Sequence, residues 1–314
     1  MPGPGRDGPS AREHTTSRSY RDGVAEMRPD VPADVRVGVS GWRYREWRGR
    51  FYPRGLAQRR ELEYVAGLMN SVELNGSFYS LQRPASYQHW AASVPDDFLF
   101  AVKGSRYITH LKRLVDVEVA LANFLASGLL GLGPKLGPVL WQLPPGLKFS
   151  EDMLAAFLAR LPRSTWAAAE LARGHDARLE GRALTTPDAD RLMRHVLEIR
   201  DDSYRTPAFL RLLEDYGVGL VVADTAGRWP LLLDVTSDLV YVRLHGDTEL
   251  YRSGYSEGAL DVWAERVRGW RDAGLDVCVY FDNDIDAHAP FDALGLARRL
   301  GVGPAASARV GPAV

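Results

Sequence analysis

One cysteine, Cys278, in 314 residues excludes an intrachain disulfide framework and any zinc site built on paired thiolates. Set inside an apolar run, it reads as a small buried hydrophobe. Lysine is nearly as scarce. Lys103, Lys112, Lys135 and Lys148 are all there are, and arginine supplies the rest of the 39 basic residues, so arginine clusters partly reflect residue usage. An excess of one charge is missing too. With 40 acidic residues against 39 basic, no global field draws nucleic acid or anionic membrane to the chain. No apolar run reaches the length of a membrane span, and no apolar leader stands near Met1. The sequence reads as soluble and cytoplasmic.

What the chain does have is a repeat. Eight short apolar runs, at 35–40, 72–75, 98–103, 139–142, 196–200, 219–224, 239–245 and 277–283, each end in polar residues. Between most of them apolar residues recur at three and four: Leu62, Val65, Leu68 and Met69; Leu121, Phe124 and Leu125; Leu154, Phe157, Leu158 and Leu161; Phe209, Leu212, Leu213 and Tyr216; Leu260, Trp263, Val267 and Trp270; Leu294, Ala297 and Leu300. Parallel strands need long crossovers, usually helical. Eight such units predict an α/β fold, a (β/α)8 TIM-type barrel with its chemistry at the carboxyl ends of the strands. At 46% hydrophobic the chain can bury that core as one domain, expected over 34–302. Residues 1–33 and 303–314, polar and rich in Gly and Pro, read as disordered tails, and 172–188 as an insertion on the fourth crossover. The sixth crossover, 225–238, is too short for a comfortable helix: either it is a single turn or a neighbouring strand is misplaced.

Residues two apart in a strand share a face. Glu73 and Asn75 therefore oppose Val72 and Leu74, Glu198 and Arg200 lie together, and so do Tyr241, Arg243 and His245. Lys103, Gln142, Asp224, Asn283 and Asp284 close other strands. A carboxylate inside a barrel is costly unless it meets a cation, water or substrate. Two readings follow. One is a structural layer in which Glu73 and Glu198 pair with Lys103, Arg200 and Arg243. The other is a carboxylate acid/base site beside anion-binding cations. After the first strand, 42–54 interleaves Trp42, Tyr44, Trp47, Phe51 and Tyr52 with arginines, which suits either stacking on a nucleotide or a plain aromatic cover over the barrel mouth. The loop 246–256, with Tyr251, Arg252 and Tyr255, reads as a lid or a surface loop. His110, His245, Glu73, Glu198, Asp224 and Asp284 are the residues that would have to converge on a metal, but no ligand spacing supports one, and no motif specifies a cofactor. His14, His89, His175, His195 and His288 read as surface or helix residues. The glycine-rich stretch from Gly131 to Gly137 precedes a strand and reads as a turn.

Several of these segments together resemble the YecE-like family, domain of unknown function 72. The resemblance spans roughly 35–300. It rests on Gly38-Val39-Ser40-Gly41-Trp42 with Tyr44, Trp47 and Phe51-Tyr52-Pro53, and on Val72-Glu73-Leu74-Asn75 with Phe78-Tyr79. It continues in Phe100-Ala101-Val102-Lys103 with Arg106, Thr109 and His110, and in Lys135-Leu136-Gly137-Pro138 leading to Gln142-Leu143-Pro144-Pro145. Tyr241-Val242-Arg243-Leu244-His245-Gly246 and Tyr280-Phe281-Asp282-Asn283-Asp284 complete it. It implies a TIM-type barrel and no established reaction. The family usually carries Glu-x-Arg-His after the fifth strand, whereas Asp201 follows Arg200 here.

The leading expectation is a hydrolase or lyase acting on a small anionic, phosphate-bearing substrate. Glu73 and Glu198 are its acid/base candidates, assisted by His110 or His245. Trp42, Asn75, Tyr79, Lys103, Arg106, Gln142, Arg200, Asp224, Arg243, Asn283 and Asp284 are the binding set. The alternatives are a non-catalytic binder of nucleic acid or an anionic ligand, and a metal-dependent phosphodiesterase.

Overall fold

The computed structural model describes residues 33–304. Apart from their innermost residues, the tails expected at the two ends lie outside the described residues. Eight parallel strands close into one barrel in sequence order: β1 Val35–Ser40, β2 Ser71–Leu74, β3 Leu99–Lys103, β4 Leu136–Gln142, β5 His195–Glu198, β6 Gly219–Asp224, β7 Leu239–Leu244 and β8 Asp276–Phe281. Closure comes from β1 pairing β8, with Val39 opposite Phe281. Every strand read from the sequence is present, β1 and β6 with the same ends and the others with ends moved by at most three residues. The helices are α1 Glu61–Ala66, α2 Gly76–Tyr79, α3 Pro84–Ala92, α4 Glu118–Ala126, α5 Glu151–Leu158, α6 Thr165–Ala172, α7 Pro207–Asp215, α8 Glu257–Asp272 and α9 Ala289–Leu300. Their stops follow local chemistry. Gly301 at the end of α9 has φ of +67°, a conformation that costs a side-chain-bearing residue more than glycine.

Alternation along the strands divides the molecule into two apolar compartments. Val37, Val39, Val72, Leu74, Val102, Trp141, Leu197, Val242 and Phe281 face outward and meet the helices. Ala101, Leu140, Val196, Val221, Ala223, Tyr241, Cys278 and Tyr280 pack inside the barrel. Cys278 is buried there, which pushes its thiol up to about 12. Gly38 also belongs to the inside, where a Cβ would come within 2.0 Å of the Ser71 carbonyl oxygen. One step further along each strand the inward residues turn polar: Ser40, Glu73, Lys103, Gln142, Glu198 and Arg243. The interior is thus apolar in its middle and charged at its carboxyl rim.

Two segments differ from the sequence reading. His195, expected at the surface or on a helix, is buried at the start of β5, where it accepts the Trp141 indole N–H at 3.1 Å. Burial lowers it to about 3, so it stays neutral as a packing residue. Most of the glycine-rich stretch belongs to a 3-10 segment, Leu129–Lys135, that runs straight into β4. Its Lys135 donates to the carbonyls of Ala91 and Val94, closing the end of α3. The sixth crossover, expected to be too short for a helix, forms none. Instead the Thr236 hydroxyl donates to the Val218 carbonyl and accepts from the Leu220 N–H, pinning the segment to the base of β6. Its other end carries Trp229 toward the barrel mouth.

Candidate functional site

The charged rim is organised around Arg243, which is fully buried. Its Nε and one terminal nitrogen take both oxygens of Glu73, at 3.0 and 2.8 Å. The other terminal nitrogen donates to Glu198 at 2.7 Å. Asp282 receives a fourth contact at 2.7 Å and the Ser40 hydroxyl a fifth at 3.1 Å. Such a planar fork suits several carboxylates at once, as an ammonium would not. Glu73 also accepts from the hydroxyls of Ser40 and Tyr241. With two donors on each oxygen it has no lone pair left for a ligand. Burial alone would raise Glu198, but Arg200 and Arg243 hold it well below the usual carboxylate range. Arg200 reaches it at 2.9 Å and spends a terminal nitrogen on Gln142 at 3.0 Å.

Above this layer lies a cavity of about 760 Å³, whose wall includes Tyr44, Asn75, Phe78, Lys103, Arg106, His110, Arg200, Tyr251, Asp282 and Asp284. Glu73, Glu198, Arg243 and His245 are not part of that wall; they are its foundation. Arg243 donates to His245 Nε2 at 3.2 Å, so the imidazole proton belongs on Nδ1, which faces Asp282 at 3.1 Å. Burial, then the neighbouring guanidinium, lowers His245 and keeps it neutral. His110 does line the cavity; burial, then Arg200 and Lys103, bring it down to about 4. Neutral at pH 7, it can accept or relay a proton but adds no charge.

Asp282 and Asp284 are driven apart. Burial works against ionisation at both, but Arg243 and His245 hold Asp282 far below the carboxylate range. Asp284 has no such partner. Burial and the adjacent Asp282 charge raise it well above that range, and its Oδ1 is buried without a hydrogen-bond partner. One carboxyl is therefore an anion and the other a proton reservoir, the division that acid/base sites exploit. We expect Asp282→Asn to lower the unfolding free energy by about 2–3 kcal/mol, through loss of charge-assisted contacts to Arg243. Asp284→Asn, which mimics the neutral form, should cost less than about 1 kcal/mol. Urea denaturation at pH 7 separates the two, and equal costs would contradict the division.

Other residues expected at the site lie elsewhere. Asp224 accepts from the Tyr255 hydroxyl at 3.1 Å, behind the cavity. Asn283 ties the end of β8 to Ser253 and Asp292, at 2.9 and 2.8 Å. Trp42 is buried edge-on against Trp90, beside a smaller cavity of about 280 Å³ that shares Tyr44, Asn75 and Tyr79 with the main one. Of the aromatics of 42–54 only Tyr44 lines the main cavity: Trp47, Phe51 and Tyr52 are buried against one another, and the arginines are exposed, with Arg48 reaching back to buried Glu61. Asp201, at the position of the family histidine, accepts the Ser203 N–H at 3.0 Å, starting a 3-10 turn outside the cavity wall. Among the described residues, no three His, Cys, Asp or Glu side chains converge as metal ligands. No helix among them is long and apolar enough to cross a membrane.

The loop 246–256 contributes Tyr251, whose φ of +64° is unusual for a side-chain-bearing residue and whose ring meets the imidazole of His245 edge-to-face. Arg200 donates to its hydroxyl at 3.3 Å and lies 3.9 Å over the Trp229 ring, so the helix-free crossover supplies a platform for that guanidinium. Sequence reasoning gave no site role to Asp282, Phe78 or Trp229. Asp282 was within reach, because it lies two residues beyond inward-facing Tyr280.

Comparison with known proteins accords with this architecture. A family model described as "Protein of unknown function DUF72" matches residues 36–313. The UPF0759 protein YunF of Bacillus subtilis is 26% identical over 132 residues, 38% of this chain and 44% of YunF. The UPF0759 protein YecE of Escherichia coli K12 is 28% identical over 110 residues, 35% of this chain and 38% of YecE. The matched stretches thus span less than half of either relative. The crystal structure of a DUF72 family protein from Thermotoga maritima is 25% identical, with a TM-score of 0.68, covering 85% of this chain and 99% of that one. A DUF72 family protein from Enterococcus faecalis is 18% identical with a TM-score of 0.62, covering 86% of this chain and 98% of that one, a likeness of fold. Matched over most of its length by the family model, the chain belongs to the DUF72 family of barrel proteins.

Proposed function

We propose that the cavity is the active site of an enzyme, a hydrolase or lyase, that binds a small anionic substrate and moves protons with Asp282 and Asp284. One observation supports this above the rest. A single cavity wall combines Lys103, Arg106 and Arg200 with one carboxyl held ionised and one held protonated. Arg106 is exposed, which suits capture of a phosphate or carboxylate group; Arg200, braced by Glu198, Gln142 and Trp229, suits fixing its orientation. Glu73 and Glu198, first read as acid/base groups, act in this reading by holding Arg243 and Arg200 in place. Proton delivery falls to Asp284, with its unpartnered oxygen beside the cavity.

Isothermal titration of inorganic phosphate at low ionic strength tests the anion site. Binding should be measurable and should weaken as salt is added. Arg106→Ala should weaken it about tenfold, about 1.4 kcal/mol, with no change in melting temperature. Absence of binding, or identical binding by the variant, would remove the reading.

A further inference from the structure

We propose that Lys103 is the nucleophile of this cavity and that its substrates are anionic aldehydes or ketones, captured as an imine on Nζ. This rests on the reading of the cavity as an anion-binding active site and narrows its substrates to oxo compounds.

The placement of the amine carries the inference. Lys103 closes β3 on the inward face, in the same layer as Glu73, Glu198 and Arg243. Those carboxylates are taken by arginine: Glu73 by Arg243, and Glu198 by Arg243 and Arg200. Among the described residues Lys103 forms no ion pair, and its Nζ lies 4.7 Å from the centre of the Phe78 ring, at the cavity wall. The chain's other buried lysine is used differently, since Lys135 gives its ammonium protons to two carbonyls. Nothing comparable anchors the protons of Lys103.

The groups bearing on the amine come from several strands. Burial and the Arg243 guanidinium from β7 disfavour its charged form; Asp282 beyond β8, Glu73 from β2 and Glu198 from β5 favour it. Its own positive charge is felt in turn by His110. The balance brings Lys103 down to about 8. About a tenth of it is then free amine at pH 7. A buried amine beside another cation is the environment in which lysine becomes a nucleophile.

The chemistry balances with groups already at the cavity. The nitrogen lone pair attacks the carbonyl carbon, a C–N bond forms and the carbonyl π pair moves to oxygen. That oxygen takes one proton from the nitrogen, relayed through Asp282, and one from protonated Asp284. It departs as water while the C=N bond forms. The products are a protonated imine on Lys103, one water and an Asp284 carboxylate. A protonated imine accepts electrons from a neighbouring bond, which gives a lyase its cleavage step.

Pyridoxal 5′-phosphate, an aldehyde bearing a phosphate, is the probe. The full chain is incubated with it, reduced with sodium borohydride, digested and mapped by mass spectrometry. The adduct should sit on Lys103 in at least about tenfold preference over Lys112, Lys135, Lys148 and the terminal amine. Labelling should rise with pH to half its limit near pH 8. Inorganic phosphate should protect, and pyridoxal without its phosphate should label Lys103 about tenfold less. Labelling spread evenly over Lys112 and Lys148, or absent from Lys103, overturns the proposal even where phosphate binding persists, in which case the anion site alone survives. Loss of phosphate binding with equal labelling by both aldehydes overturns the anion site on which the proposal rests. Lys103→Arg, which keeps the charge, should abolish trapping.

Discussion

Arg243→Met should lower the unfolding free energy by about 3–5 kcal/mol, the cost of leaving buried carboxylates without their cation. Arg243 has no solvent exposure and serves Glu73, Glu198 and Asp282 together. Methionine fills much of its volume, so the loss isolates charge from packing. Arg243→Lys should recover little, because one ammonium cannot reproduce the fork that meets both Glu73 oxygens while reaching Glu198. The pH dependence has a definite sign. Glu198 and Asp282 are held below their unfolded values in the native protein. Their contribution is therefore present above about pH 4, the unfolded range, and is lost as pH falls toward the folded values. The gap between wild type and variant should be widest near neutrality and should narrow below about pH 4. Adding Glu73→Gln to the methionine variant should restore about 1–2 kcal/mol, since one uncompensated charge disappears. Equilibrium urea denaturation measures all three. A loss below about 1 kcal/mol at pH 7 would mean that the carboxylates find other partners or water.

The same network explains what the sequence disclosed and what it withheld. Alternation is a local property, so Glu73, Lys103, Glu198 and Arg243 could be assigned to the barrel interior one strand at a time. Their convergence follows from closure, with β2 and β7 meeting across the lumen although Glu73 and Arg243 are 170 residues apart. Which carboxylate remains open to a ligand is not local. It depends on how many donors reach each oxygen, and Glu73 is saturated by Ser40 from β1 and by Tyr241 and Arg243 from β7. Strand parity applied one step further would have picked Asp282. The same parity puts Asp284 on the cavity wall and turns Asn283 away from it, toward Ser253 and Asp292, although β8 itself ends at Phe281. Trp47 and Trp229 illustrate a second limit. Each directly adjoins an arginine, Arg48 and Arg228, yet one is a core residue and the other a platform for Arg200. Composition cannot separate these roles, because an aromatic face stacks equally well on a side chain, a neighbouring ring or a ligand.

Lys103→Met should make the protein more stable at neutral pH, by about 2–3 kcal/mol. Burial and Arg243 lower the Lys103 amine from an ordinary 10.5 to about 8, so the folded protein carries the charged form against its preference. The sign follows from proton uptake. Below pH 8 the amine is protonated in both folded and unfolded chains, and the folded chain bears the full penalty. Between about pH 8 and 10.5 the unfolded chain keeps its proton and the folded chain releases it, so wild-type stability should rise across that window. The advantage of the methionine variant should therefore be constant at neutral pH, shrink above pH 8 and vanish near 10.5. The same variant should show no borohydride-trapped adduct. A residue that costs stability where it sits is hard to explain as scaffold, since Arg200 and Arg243 already pair the nearby carboxylates. Thermal and urea unfolding from pH 6 to 10.5 read the effect directly. A destabilised Lys103→Met would mean that the ammonium is bound more tightly than its surroundings indicate, and would place Lys103 with the structural cations instead of the reacting groups.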